Sequence, residues 1–226
     1  MAIRFCKISS PEPVIAYLAL TISRHLAEGE KILWLVSGGS AINITVEAAK
    51  RLDDTNVENI ANLTISLIDE RYGPVGHPNS NWQQLKDAGL QINGANLRPV
   101  LKNKSLEQTA KDYTKFIGQA FKKYDYKIGL VGIGADGHTL GNKPHSPATN
   151  SDGLVCAYPW GDYVRLSLTP RTIAEFDEIV AYVVGKEKRR VLQSLNKSIP
   201  PEDQPAQYLK SARKLTVYND YKGEAV

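Results

Sequence analysis

Two periods of apolar residues alternate along this chain. Segments 13–29 ("PVIAYLALTISRHLAEG"), 41–52 ("AINITVEAAKRL") and 105–124 ("SLEQTAKDYTKFIGQAFKKY") have apolar residues at helical spacing. Gly29 is a natural stop for the first helix, and Ser105 with Gln108 has capping-box spacing. A fourth helix begins near Asn81, and a fifth is predicted over 186–195 ("KEKRRVLQSL").

Short apolar runs between these helices predict strands. The runs are "KILWLVS" (31–37), "LTISLID" (63–69), "KIGLVGI" (127–133), "GLVCAYP" (153–159), "DYVRLSLT" (162–169), "EIVAYVV" (178–184) and, as an edge strand, "KLTVYND" (214–220). Continuous apolar strands separated by helices are typical of an α/β fold with a doubly wound, mostly parallel sheet and helices on both faces. We expect one domain over residues 1–226, with the ligand site beyond the carboxyl ends of the strands.

Composition narrows the class of protein. With 42% apolar and 23% charged residues the chain resembles an ordinary globular protein, and no apolar run reaches about 18 residues, so no membrane partner is expected. Cys6 and Cys156 imply neither a disulfide framework nor a zinc site, and no secretory signal is seen, which predicts a cytoplasmic protein.

The net charge of +4 is mild and suits a small anionic substrate better than a nucleic acid. The densest basic cluster is "GKEKRR". We interpret Lys186, Arg189 and Arg190 as a solvated helix face.

Three loops leave their strands abruptly. In the first, Ser37, Gly38, Gly39 and Ser40 ("SGGS") stand between a strand and a helix. Small residues there let backbone N–H groups and the helix N-terminus face an anion, although a tight turn requiring glycine gives the same pattern.

The second loop, "DERYGPVGHPNSN", starts with Asp69, Glu70 and Arg71 at the end of a strand. We expect residues 70–80 to be a polar loop in which Arg71 grips a carboxylate or phosphate. The competing interpretation is an exposed charge cluster that merely ends the strand. His77 is expected to be structural.

The third loop, "VGIGADGHTLGNKP", places Asp136 and His138 among four glycines. A histidine is a proton acceptor at neutral pH, and Asp136 can orient it. A dinucleotide site is disfavoured because Gly141 and Pro144 break the helix that should open there.

Together, "LVSGGS", "LIDERYGPVGHPNSN" and "VGIGADGHT" resemble the 6-phosphogluconolactonase family, which is related to glucosamine-6-phosphate deaminases and shares their modified Rossmann-like fold. Downstream, "RLSLTPRTI", "VVGKEKRRVL", "PAQYL" and "TVYNDYKGEA" are also similar to the family. The resemblance implies hydrolysis of 6-phospho-D-glucono-1,5-lactone to 6-phosphogluconate in the pentose phosphate pathway, without a metal or organic cofactor.

The resemblance also implies roles for residues. His138 would activate water with Asp136 holding its ring, and Arg71 or loop N–H groups would stabilise the developing oxyanion. Substrate contacts would come from Asp69 and Arg71. The phosphate would be bound by residues that the resemblance and the loop pattern single out: Ser37, Gly38, Gly39, Ser40, Arg171 and Lys188.

One segment departs from the family. After His138 the chain reads "TLGNKP" where lactonases usually read "TASLFP" and deaminases "IAFNEP", so that Lys143 replaces the deaminase glutamate. We interpret Lys143 as a solvated loop residue. Two alternatives stay open: an amino-sugar-phosphate deaminase or isomerase with Asp69 as carbon-acid base, and a non-catalytic sugar-phosphate-binding module.

Overall fold

The computed structural model describes residues 3–55 and 57–226. Their strands are β1 Arg4–Lys7, β2 Ile32–Val36, β3 Leu63–Leu67, β4 Asp69–Tyr72, β5 Asn96–Leu97, β6 Tyr126–Gly132, β7 Val155–Trp160, β8 Tyr163–Leu168, β9 Glu178–Val183, β10 Leu215–Asn219 and β11 Glu224–Ala225. The α-helices are α1 Glu12–Ala27, α2 Ala41–Asp54, α3 Asn81–Asp87, α4 Leu106–Lys123 and α5 Arg189–Ser194. Short 3-10 helices span Ile60–Asn62, Pro170–Glu175, Lys186–Lys188 and Pro205–Ser211.

The main sheet is parallel throughout the described residues, in the order β11-β1-β10-β9-β6-β2-β3-β5. From β2 the chain steps outward to β3 and β5, whereas from β6 it steps the other way to β9 and β10. Right-handed crossovers therefore place α2 and α3 on one face and α4 on the other. The direction reverses between the neighbouring strands β2 and β6, which is where open α/β sheets bind ligands.

Three more strands form a separate antiparallel sheet in the order β4-β8-β7. Its register sets Asp69 opposite Ser167 and Arg71 opposite Arg165. Directly opposed residues of an antiparallel pair project from the same face of the sheet. This small sheet therefore brings two arginines side by side.

The predicted α/β class and the parallel sheet are confirmed, with three corrections. Residues 70–72 belong to β4 rather than to the start of a polar loop, and Asp69 opens β4 rather than ending β3, because Asp69–Tyr72 pairs with β8 despite its charged side chains. The strand Arg4–Lys7 was not predicted. The predicted edge strand at 214–220 lies inside the sheet, since β1 covers its outer side.

Apolar packing explains why the elements form. All five residues of β2 and of β3 are buried. The sequence of β2 is continuously apolar, whereas Thr64 and Ser66 of β3 are buried with hydrogen bonds to the Tyr124 hydroxyl and the Arg98 carbonyl. Helix α4 starts at Ser105, whose hydroxyl accepts a hydrogen bond from the Gln108 N–H at 3.3 Å. On its buried face, the Tyr113 hydroxyl donates to the Leu67 carbonyl at 2.5 Å. This bond fixes the end of β3 immediately before β4.

No helix within the described ranges is both long enough and apolar enough to cross a membrane.

Candidate active site

A cavity of about 350 Å³ lies beyond the carboxyl ends of β2 and β6, at the reversal point of the sheet. Its walls come from the turn after β2, from β4, from the start of α3, from the loop after β6 and from β8. The lining residues are Ser37, Gly38, Gly39, Ser40, Asp69, Arg71, Asn81, Gly132, Ile133, Gly134, His138, Leu140, Lys143, Arg165 and Lys188.

Unpartnered polar atoms are concentrated in this cavity. The Ser37 hydroxyl, the Asn81 amide oxygen and the Nε atoms of Arg71 and Arg165 are buried without a hydrogen-bond partner among the described residues. Buried polar groups are rarely left unpaired unless a ligand or water completes them. These atoms of the cavity are therefore available to hydrogen-bond a polar ligand.

The turn Ser37–Ser40 forms one wall. The Ser37 N–H donates to the Leu130 carbonyl, which ties the turn to β6, and Gly39 has a left-handed φ of 64°. A Cβ at Gly38 would overlap the Asn81 side chain, so this position requires glycine. Helix α2 follows without a side-chain cap, which leaves its first N–H groups and its positive dipole end to attract an anion.

Cationic side chains face this turn from the other walls. Arg71 donates to the Asn79 carbonyl at 3.2 Å and stacks over the Tyr163 ring at 5.4 Å, and Arg165 lies 4.0 Å from the Asp69 carboxylate. Lys188 is half-buried and lines the cavity, whereas Lys186, Arg189 and Arg190 are exposed as expected.

Arg171 is not brought into the cavity. Its side chain is exposed, and its guanidinium donates to the Asp152 carbonyl at 2.6 Å. It follows β8 on a 3-10 helix, beyond the antiparallel sheet that carries Arg165. The structure therefore provides Arg165 where the sequence led us to expect Arg171.

The loop after β6 holds His138 against Asp136. His138 Nδ1 lies 2.5 Å from Asp136 Oδ1, and the Gly134 N–H donates to the His138 carbonyl. A Cβ at Gly134 would overlap both the imidazole and the carboxylate, and Gly137 has a φ of 85°. The four glycines in this loop thus include two that the histidine–aspartate pair requires.

Lys143 is not the solvated loop residue that we expected. Its side chain is only 16% exposed, and Nζ lies 3.1 Å from Asp136 Oδ2 and 2.9 Å from His138 Nδ1. The loop 140–142 curls so tightly that its next residue returns over the Asp–His pair. Leu140 takes a left-handed φ of 55° in this curl, a strained conformation for a leucine.

The environment shifts the acid–base properties of these groups. Burial and then the charge of Lys143 lower the pKa of His138, against the opposing effect of the Asp136 carboxylate. Although burial acts to raise it, the hydrogen bonds from His138 and Lys143 lower the pKa of Asp136 to about 2. At neutral pH the pair is therefore a carboxylate and a neutral imidazole.

Asp69 is an acidic residue that lines the cavity. Burial raises the pKa of this carboxyl, and Arg165 and Arg71 act against the rise. The Asn81 amide lies 3.4 Å from its Oδ2.

His77 does not line the cavity. Its Nε2 lies 2.9 Å from the Arg71 carbonyl, in agreement with the structural role expected for it.

Seven lining residues were not among the site residues that the sequence predicted: Asn81, Gly132, Ile133, Gly134, Leu140, Lys143 and Arg165. Arg165 could have been noticed as a charged residue inside the apolar strand "DYVRLSLT". Asn81 and Leu140 gave no such signal. Asparagine is common at helix starts, and no sequence pattern marks a leucine that lies on a polar cavity wall.

The fold and site define an α/β protein whose cavity is lined by a glycine turn at a helix N-terminus and by a histidine that is paired with an aspartate. The sequence model of the family described as glucosamine-6-phosphate isomerases/6-phosphogluconolactonase matches residues 11–218. The chain belongs to this family.

Individual relatives agree. A 6-phosphogluconolactonase of Helicobacter pylori is 30% identical over 158 residues, which cover 67% of this chain and 68% of that protein. One from Synechocystis is 32% identical over 150 residues, or 62% and 61% of the two chains.

Solved structures share the fold. The 6-phosphogluconolactonase of Thermotoga maritima has a TM-score of 0.79 at 22% identity, covering 96% of this chain and 98% of its own. A monomeric glucosamine-6-phosphate deaminase has a TM-score of 0.77 at 20% identity, covering 98% of each chain.

Proposed function

We propose that the protein is a 6-phosphogluconolactonase that hydrolyses 6-phospho-D-glucono-1,5-lactone to 6-phosphogluconate. The observation that carries this proposal is that one cavity is lined by His138, whose ring is paired with Asp136, by the turn Ser37–Ser40 at the start of a helix, and by Lys188. The lactonase names of the relatives supply the substrate.

The chemistry requires a base but little else, because a lactone is an activated ester. With Nδ1–H donated to Asp136, His138 Nε2 has a free lone pair that takes a proton from water. The resulting hydroxide attacks C1 and forms a tetrahedral intermediate. When the C1–O5 bond breaks, the imidazolium returns its proton to O5, and the product is the open-chain acid.

The developing oxyanion on the C1 carbonyl oxygen needs donors nearby. Arg71 is suited to this role, because the Asn79 carbonyl holds its guanidinium before the substrate binds. Those backbone N–H groups of the loop after β6 that are not already bonded within the protein would add to it.

At the other end of the cavity, the turn Ser37–Ser40 and the start of α2 would bind the 6-phosphate, with Lys188 and Arg165 as charged partners. Phosphate binding at a distance from C1 holds the lactone in the reactive orientation. The exposed Arg171 is left out of this proposal.

The test is acid release from freshly prepared lactone, corrected for spontaneous hydrolysis, with the wild type and His138→Ala. We expect kcat/KM to fall by roughly 10²–10⁴-fold in the variant, while 6-phosphogluconate binding by calorimetry persists. Equal turnover by both proteins would remove His138 from the mechanism, and no turnover by the wild type would reject the lactonase.

One observation favours a second candidate, an amino-sugar-phosphate isomerase or deaminase. Asp69 is buried in the cavity, and burial raises its pKa toward the range of a carbon-acid base. Against this candidate, Lys143 stands where a deaminase has a glutamate, and an ammonium cannot accept a proton. Ammonia release or solvent-deuterium incorporation at C2 of glucosamine 6-phosphate would decide for it.

Binding of a sugar phosphate without any turnover would favour a non-catalytic sugar-phosphate-binding module.

We also propose that residues 1–226 act as one cytoplasmic domain. The pairing of β1 with β10 supports one domain, because it joins distant parts of the chain in one sheet. Cys6 and Cys156 are free thiols, which suits a reducing compartment.

A further inference from the structure

Lys143 contacts both members of the Asp136–His138 pair. Its ammonium lies 3.1 Å from Asp136 Oδ2 and 2.9 Å from His138 Nδ1, while Asp136 Oδ1 lies 2.5 Å from the same ring nitrogen. The lysine side chain is more buried than either partner, at 16% exposed against 31% for His138 and 47% for Asp136.

The backbone holds Lys143 in this position. Its N–H donates to the Tyr158 hydroxyl at 3.3 Å, and that hydroxyl donates to the Gly141 carbonyl. Its carbonyl accepts the Ser146 N–H at 3.0 Å. The backbone of Lys143 is thus fixed by β7 and by the following turn, and its ammonium contacts Asp136 and His138 at the edge of the cavity.

A carboxylate beside a histidine has two effects that oppose each other in catalysis. It orients the ring and selects the tautomer, but it also stabilises the imidazolium, which cannot act as a base. An ammonium paired to the same carboxylate opposes the second effect and preserves the first, because the Nδ1–H···Oδ1 bond remains. Since Nδ1–H and the ammonium are both donors, their 2.9 Å contact is not a hydrogen bond, and the ammonium acts on the ring through its charge. Lys143 lies at this position.

We propose that Lys143 is a positioning residue that locks Asp136 against His138 and keeps the imidazole neutral at the acidic end of the enzyme's working range. This inference rests on the proposed function only for its catalytic readout. The lowered pKa of His138, caused by burial and next by Lys143, agrees with it.

Other charged groups face the imidazole and act in both directions. Asp69 on β4 favours the imidazolium. The remaining cations of the cavity, Arg71 on β4, Arg165 on β8 and Lys188 before α5, disfavour it. They stay unchanged when Lys143 alone is replaced, so a single substitution isolates the effect of its ammonium.

The first test needs no substrate. We would titrate the histidine ring resonances by NMR in the wild type, Lys143→Met and Lys143→Arg, with His138→Gln to assign the signal among the four histidines. Loss of the ammonium in Lys143→Met should move the His138 titration to higher pH, and Lys143→Arg should leave it near the wild-type position. An unchanged or lower midpoint in Lys143→Met overturns the proposal.

The second test follows the pH dependence of kcat and kcat/KM for lactone hydrolysis. In Lys143→Met the acid limb of both should move to higher pH, so that the loss at the acid end exceeds the loss on the alkaline plateau by a factor on the order of threefold or more. A rise in KM without a moved limb would make Lys143 a substrate contact and overturn the proposal. A shifted NMR titration in a protein without lactonase turnover would reject the proposed function but keep this inference.

Discussion

At the residue scale, the missing side chain of Gly134 is what allows His138 and Asp136 to meet. A Cβ at this position would overlap His138 Nδ1 and Asp136 Oδ1, the two atoms that form the short hydrogen bond. His138 cannot move away freely, because its carbonyl accepts a hydrogen bond from the Gly134 N–H.

Gly134→Ala should therefore lower activity more than stability. We expect kcat/KM to fall by about 10²-fold, since a displacement near 1 Å in a catalytic group costs this much. Lactone hydrolysis and thermal unfolding should be measured on the same sample. An alanine variant with wild-type kcat/KM would show that the pair is not needed in this geometry.

The lowered pKa of His138 has its own consequence for the pH–rate profile. Because burial and Lys143 lower it, the base becomes protonated only below its usual value of about 6.5. Activity should be full at neutral pH and fall as pH drops through the lowered pKa. An acid limb centred above 6.5, measured with the lactone's spontaneous hydrolysis subtracted, would contradict this assignment.

Single residues also show how far the sequence could predict the site. The loop pattern was enough to make the turn Ser37–Ser40 and His138 cavity candidates, because ligands of open α/β sheets bind beyond the carboxyl ends of the strands. The position of Lys143 could not be read in this way, since it depends on the curl at Leu140. Arg165 was passed over for Arg171 because pairing with β4 was not foreseen.

At the element scale, Glu70 joins β4 to helix α3. Its Oε1 accepts the N–H groups of Arg71 and Asn81, both at 2.7 Å. Its Oε2 accepts the Ser80 hydroxyl at 2.8 Å and the Trp82 N–H at 3.2 Å. The carboxylate thus binds the positive end of the helix and sets two cavity residues in place.

Glu70→Gln should destabilise the fold by about 1–3 kcal/mol, because the new NH2 group would face donors inside a buried site. The free energy of unfolding in urea measures this change. Glu107→Gln is a matched control, since Glu107 lies in the first turn of α4 and is exposed. Equal effects of the two substitutions would show that the buried carboxylate is not a stabilising link.

The elements that the sequence predicted well are those governed by local packing. Strands β2, β3, β6 and β9 are rich in apolar residues, and Ser105 marks the start of α4 as its N-cap. The missed strands β1 and β4 are short and carry charges, so their existence depends on partners elsewhere in the chain. Tertiary pairing of this kind leaves little trace in a local pattern.

At the scale of the whole molecule, four cationic side chains and the Asp69 carboxylate line one cavity that also holds a helix N-terminus. A sugar phosphate that binds the folded state alone stabilises it by about 2.7 kcal/mol at 100 times its Kd. We expect 6-phosphogluconate to raise the Tm of the wild type and of His138→Ala alike.

Lys188→Ala should lose most of this increase in Tm. Lys186→Ala is the matched control, because Lys186 is exposed on the same 3-10 turn and does not line the cavity. If both alanine variants are stabilised as much as the wild type, the phosphate end does not lie at Lys188.

The strand Arg4–Lys7 hydrogen-bonds to Leu215–Asn219 and Glu224–Ala225. On the ribosome β1 is made before both of its partners, with β2 to β9 synthesised in between. A nascent chain must therefore carry β1 unpaired until β10 has been made, with the flank of β9 also open. Such exposed edges are where chaperones bind and where aggregation begins, so slow synthesis should be more hazardous for this protein than for one whose sheet grows in the order of its sequence.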